Sequence, residues 1–94
     1  MEERSRVLLE NDRVRVLELR LKPGEREPMH SHPEYLVYVL QPATMRMTAP
    51  DGSTREVELS AGSVSFGQPI THAGENVGRT ELHELIIELK PTRG

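Results

Sequence analysis

An all-β domain, a barrel or sandwich of short strands, follows from three features of this sequence. Apolar and polar residues alternate in short runs, as in Val14-Arg15-Val16 and Thr54-Arg55-Glu56-Val57-Glu58-Leu59. Turn-forming residues recur between the runs, at Pro23-Gly24, Pro50-Asp51-Gly52 and Ala61-Gly62. No window carries a 3.6-residue apolar period with helix caps. Short strands divided at such intervals indicate a closed or two-layered β architecture.

The elements follow in order. Val7-Leu8-Leu9 and Val14 to Leu21 read as strands, with Asn11-Asp12 turning the chain between them. The second run changes phase between Val16 and Leu17, which predicts a bulge there. After Pro23-Gly24 the chain places His30 and His32 two residues apart and runs into the apolar stretch Leu36 to Leu40. Side chains two apart on a strand share a face, so an extended segment presents both imidazoles to one point, as a metal site needs. Leu36 to Leu40, bounded by Pro33 and Pro42, has the length of a buried strand. Thr44 to Ala49 and Thr54 to Leu59 flank Pro50-Asp51-Gly52-Ser53, the strongest hairpin signal in the chain. Val64-Ser65-Phe66 follows the next turn. Pro69 to Asn76 reads as a loop leading to a short strand near Val77.

Leu82 to Leu89 is the last strand. Its two faces are His83, Leu85, Ile87, Leu89 and Leu82, Glu84, Ile86, Glu88. The first is the more apolar and is expected to point inward. That would bring His83 to the barrel interior as a ligand, an orienting group or a general base. The plainer alternative is a strand-end histidine bonded to backbone or water.

Bulk properties narrow the field. The 94 residues suffice for one domain, assigned to 1–94, with one modest core. The aromatic residues are Tyr35, Tyr38 and Phe66, so the core is aliphatic. A net charge of -3 with no basic patch argues against a nucleic-acid partner. The absence of cysteine excludes disulfides, thiolate zinc sites and cysteine nucleophiles, and suits a reducing compartment. The charged start has no long apolar run behind it, so neither a signal peptide nor a membrane span is expected, and a cytoplasmic location is the default.

The order of these features resembles the small single-domain cupins of the RmlC-like superfamily, in particular the bacterial cupin-2 type. Gly24, five residues and then His30-Ser31-His32 match the start of the first cupin motif. Gly62, Pro69, His72 and Asn76 follow the order of the second, and His72 to Asn76 keeps its spacing. The likeness spans roughly residues 12 to 90. It departs from the pattern at several places. The metal-binding Glu of the first motif falls on Tyr35, with Glu34 one residue early, and its closing Gly is Pro42. In the second motif Ser63 replaces an Asp, and Pro69 sits one place late.

The resemblance implies a double-stranded β-helix, a jelly-roll barrel. It also implies a divalent transition metal (Fe, Mn, Ni, Zn or Cu) held by His30, His32 and His72. Such a centre would act on a small polar metabolite by dioxygenase-, isomerase- or lyase-like chemistry. The alternatives are a binding or sensing module without turnover, with or without metal, and a structural dimer with a vestigial pocket. Tyr35 is a candidate to reach the metal or hydrogen-bond the substrate, and is equally an ordinary strand residue. Glu34 is a ligand if its short loop turns inward, and otherwise a solvated acid. Asn76 is expected to tie a loop through side-chain-to-backbone bonds, and Met45 and Met47 to share a pocket-facing side. Small cupins pair their sheets. A homodimer is therefore expected, with Val7-Leu8-Leu9 the candidate strand for exchange between copies.

Overall fold

The computed structural model describes residues 5–91. Among them are nine strands and no helix: β1 (Ser5–Glu10), β2 (Val14–Leu21), β3 (Arg26–His32), β4 (Tyr35–Gln41), β5 (Ala43–Thr48), β6 (Thr54–Leu59), β7 (Val64–Gly67), β8 (Ile70–Asn76) and β9 (Leu82–Leu89). They form a five-stranded sheet in the order β1-β2-β9-β4-β7 and a four-stranded sheet in the order β3-β8-β5-β6. The strand pairs are antiparallel, and the chain changes sheet at every connection except β1–β2 and β5–β6, giving the jelly-roll path. No helix is long and apolar enough to cross a membrane.

The core lies between the sheets. Leu19, Leu21, Ala43, Met45, Leu82 and Ile86 are buried together, with Leu17, Tyr35, Val37, Met47 and Leu59 packed against them. Register fixes these faces. Leu17, Leu19 and Leu21 of β2 stand opposite Ile86, Glu84 and Leu82 of β9. Directly opposed residues share a face. The inward face of β9 is therefore Leu82, Glu84, Ile86 and Glu88, the reverse of the sequence expectation. The two carboxylates made that face look solvated, but the core leucines of β2 decide it.

Two further expectations are corrected. β2 runs unbroken against β9 from Val14 to Leu21, without a bulge. The register slips where expected, opposite Val16 and Leu17, but the extra residue is Leu8 of β1, between Val7 and Leu9. The phase change in β2 reflects apolar residues on both of its faces. Residues 70 to 76, expected as a loop, form β8. Its Gly74 is buried beside the methionines of β5, where an added Cβ would lie 3.1 Å from Met45 Cε. A position that looked like a turn signal is thus a place where two strands need a small residue.

The hairpin between β5 and β6 forms as expected, with Gly52 N donating to Ala49 O at 2.9 Å and Ala49 N to Ser53 O at 2.8 Å. Asn76 ties the chain as expected too. Its Nδ2 donates to Leu21 O and Thr80 O, both at 2.8 Å, and its Oδ1 accepts from Gly78 N at 3.0 Å.

Candidate metal centre

β3 is an edge strand, paired with β8 alone. It therefore tolerates Pro28, which has no N–H to give, and the register slips there between Glu27 and His30. Beyond the slip His30 stands directly opposite His72 of β8, and His32 follows two residues on along the same face. One ring nitrogen from each of the three histidines lies within 4.8 Å of the others. The ring centroids of His30 are 4.6 Å from His32 and 4.7 Å from His72, and His32 and His72 are 5.3 Å apart. The structure thus brings together the three histidines that the sequence singles out.

Two of the rings are held from behind. His30 Nδ1 is 2.8 Å from Pro28 O, which only accepts, so Nδ1 carries the hydrogen and Nε2 keeps its lone pair. His32 Nδ1 donates to Glu88 Oε2 at 2.5 Å, which again leaves Nε2 as the free donor atom. A carboxylate behind a histidine fixes its tautomer and raises its basicity toward a metal. Burial, then the neighbouring His30 and His32, push the His72 pKa down to about 4, with Arg55 adding to the effect. His72 is therefore neutral near pH 7 and offers a lone pair. Three imidazoles converging from adjacent strands are a donor set that fits a divalent transition metal.

The histidines line a cavity of about 800 Å³ between the sheets, with Leu19, Val37, Met45, Met47 and Ile86 supplying much of its apolar wall. Both methionines face it, as expected. Tyr35 faces it from β4, and its ring lies 5.0 Å from His32. The ring crosses β7 over Gly67, where an added Cβ would sit 2.3 Å from Tyr35 Cζ. Burial, then the charge of Glu84, raise the phenol pKa against the opposing pull of Arg55, so Tyr35 remains an O–H donor. Glu34 is exposed and outside the lining, and its backbone carbonyl accepts from Leu89 N at 2.8 Å.

His83 lies elsewhere. It stands on the outer face of the five-stranded sheet, with Nε2 2.7 Å from Glu18 Oε2. Glu18 also meets Arg6 at 2.8 Å and Arg20 at 3.8 Å. The expected inward position of His83 is thus overturned, because β2 pairs its leucine face with the other side of β9.

The sequence reading missed three carboxylates on the inner side of the barrel. Glu27 lines the cavity, its Oε1 3.8 Å from His30 Nε2. Glu88 is 4% exposed and bridges His32 to Arg15, whose Nε donates to Oε1 at 3.0 Å. Glu84 is 8% exposed and lines the cavity, and its carboxyl takes no hydrogen bond among the described residues. Burial, reinforced by Glu27, pushes its pKa up to about 7. For Glu84 and Glu88 the one signal available was the pairing of β9 with β2.

No family model matches the chain, and no curated protein matches it. Solved structures do. A cupin domain from Bordetella pertussis Tohama I superposes with a TM-score of 0.84 at 27% identity, covering 93% of this chain and 92% of that one. A cupin superfamily protein from Desulfitobacterium hafniense DCB-2 gives 0.69 at 21% identity, over 93% and 76% of the two chains. An RmlC-like cupin family protein with a double-stranded β-helix fold, from Methanocaldococcus jannaschii, gives 0.70 at 16% identity, over 92% and 80%. With nearly all of the chain following that path, this protein has the cupin fold, the double-stranded β-helix of those structures.

Proposed function

We propose that this cupin binds a divalent transition metal through His30, His32 and His72, and works on a small polar metabolite in the cavity beside it. The observation that carries the reading is the convergence of three imidazole nitrogens, with two of the rings locked from behind by Pro28 O and Glu88. Fe, Mn, Ni, Zn and Cu all suit such a donor set. A bound ion of this kind supplies a Lewis acid with positions open to a ligand. The chain supplies the rest. Glu88 and the Pro28 carbonyl hold two ligand rings in their tautomers. Tyr35 offers a phenol O–H beside His32, and Glu84 is a carboxyl able to hold or accept a proton inside a largely apolar wall. These groups suit oxygenation, isomerisation or a lyase reaction. We also place the protein in the cytoplasm, as a homodimer.

The test is elemental analysis of untagged protein purified without chelator, beside the His30→Ala/His32→Ala variant. The expected result is about one transition-metal ion per chain, lost in the variant. No ion in either protein, even after reloading, would overturn the metal reading and leave a metal-free binding barrel. A bound ion and a retained metabolite with no turnover would assign the protein to binding.

A further inference from the structure

The cavity is lined by an arginine that no carboxylate neutralises among the described residues. Among the described residues, Arg6, Arg15, Arg20, Arg26 and Arg46 each meet a carboxylate within 4.0 Å. Arg55, like Arg13 and Arg79, meets none. It is also the one arginine among the described residues that lines the cavity. Register explains its direction. Arg55 stands opposite Met47, whose side chain faces the cavity, and Val57 and Leu59 follow on the same side of β6. Arg55 is solvent-exposed while lining the cavity, so it stands at the opening. Its charge reaches inward far enough to act on both His72 and Tyr35. Glu84, the buried carboxyl of the same cavity, forms no ion pair with it.

A guanidinium is a planar fork that matches the two oxygens of a carboxylate. Here the fork lines the same cavity as the three histidines, over walls that are mainly aliphatic. We propose that Arg55 is the carboxylate-binding residue of this cavity, and that the ligand is a small organic acid whose carboxylate sits on Arg55 while its carbon skeleton lies over the three histidines. This deepens the metal-centre reading by naming its substrate class, and it rests on that reading only for the ion.

The experiment titrates propanoate and succinate, and the uncharged propanamide and succinamide, into the Zn(II)-loaded and the metal-free protein. Heat and the methyl resonances of Met45 and Met47 report binding. Three variants accompany the wild type: Arg55→Gln, Arg55→Lys and Arg79→Gln, the last altering an arginine outside the cavity lining. The acids should bind and shift both methyl signals, and the amides should not. Arg55→Gln should weaken acid binding by roughly 10- to 100-fold, the size of a lost charge-assisted hydrogen bond. Arg55→Lys should fall between, keeping the charge without the fork. Arg79→Gln should match the wild type. Equal acid affinity in wild type and Arg55→Gln, amides binding as well as acids, or no acid binding at all would each overturn the proposal. Acid binding that depends on Arg55 in protein unable to take up zinc would sustain the carboxylate site while removing the metal one. Zinc uptake with acid binding indifferent to Arg55 would do the reverse.

Discussion

Glu88 serves two partners with one carboxylate, holding His32 through Oε2 and Arg15 through Oε1. Glu88→Gln keeps its shape and removes its charge. Loss of such an orienting partner costs about 10- to 100-fold in metal affinity. We expect that drop in a competition titration against a chelating dye, with the far-ultraviolet circular dichroism unchanged. Unaltered affinity would reduce Glu88 to a structural ion pair. Glu84 makes a different demand. Its carboxyl has an ordinary pKa of 4.5 and a folded value of about 7. Below pH 4.5 it is protonated in both folded and unfolded chains and costs nothing. As pH rises through this window the unfolded chain releases the proton while the folded chain keeps it, so stability falls. Glu84→Gln should abolish that loss. In urea unfolding of metal-free protein the variant should match the wild type near pH 4 and exceed it by up to about 3 kcal/mol near pH 8. An equal difference at both pH values would rule out ionisation as the cause.

Among the elements, the β5–β6 hairpin, β4 and the histidine pair on β3 were legible because each rests on a local rule: an Asp-Gly turn, a bounded apolar run, a two-residue period. β8 was not, because Pro69 and Gly74 look like turn signals until the methionines of β5 are seen packed on Gly74. The face of β9 was not, because a barrel that houses a site can bury carboxylates and leave leucines outside. Arg55 was hidden for the same reason, since a charged residue in an alternating strand reads as solvent-facing until its partner Met47 is placed. Asn76 was legible as a tie but not in its reach. It joins the end of β2, the end of β8 and the turn before β9, and it is fully buried. Asn76→Ala would strand the buried Leu21 carbonyl and remove the partner of the half-buried Thr80 carbonyl and Gly78 N–H. We expect a loss of roughly 2–4 kcal/mol in urea unfolding, given the cost of buried unsatisfied groups. A loss within about 0.5 kcal/mol would show that water replaces the side chain.

The molecule has two unlike outer surfaces. On the four-stranded sheet Arg46 pairs with Glu56 and Glu75, and Arg26 with Glu75, a well-hydrated face. On the five-stranded sheet Leu36 and Tyr38 of β4 lie between Phe66 and Val64 of β7 on one side and Ile87 and Leu85 of β9 on the other. Phe66 is 52% exposed and Val64 64%. β1 extends that sheet at its far edge with exposed Val7, Leu8 and Leu9. An apolar patch on one sheet, bordered by the His83–Glu18–Arg6 cluster and opposite a charged sheet, suits a two-fold partner, and a second copy offers the same surface in return. We expect sedimentation at twice the 10.6 kDa chain mass, and the Tyr38→Glu/Val64→Glu variant at 10.6 kDa. Wild type at 10.6 kDa at every concentration would rule the dimer out.

β3, the strand with a proline at its slip and one neighbour only among the described residues, has a kinetic consequence. An edge strand can peel away with the rest of the barrel folded, once the His32–Glu88 bond that ties it to the other sheet is broken. It would carry His30 and His32 with it and leave His72 behind on β8. A metal held by all three would then come and go at the rate at which this one strand lifts, with the rest of the barrel still folded. Residence time and equilibrium affinity would thus answer to different residues: the first to the Pro28 slip and the β3–β8 ladder, the second to the rings and the groups behind them.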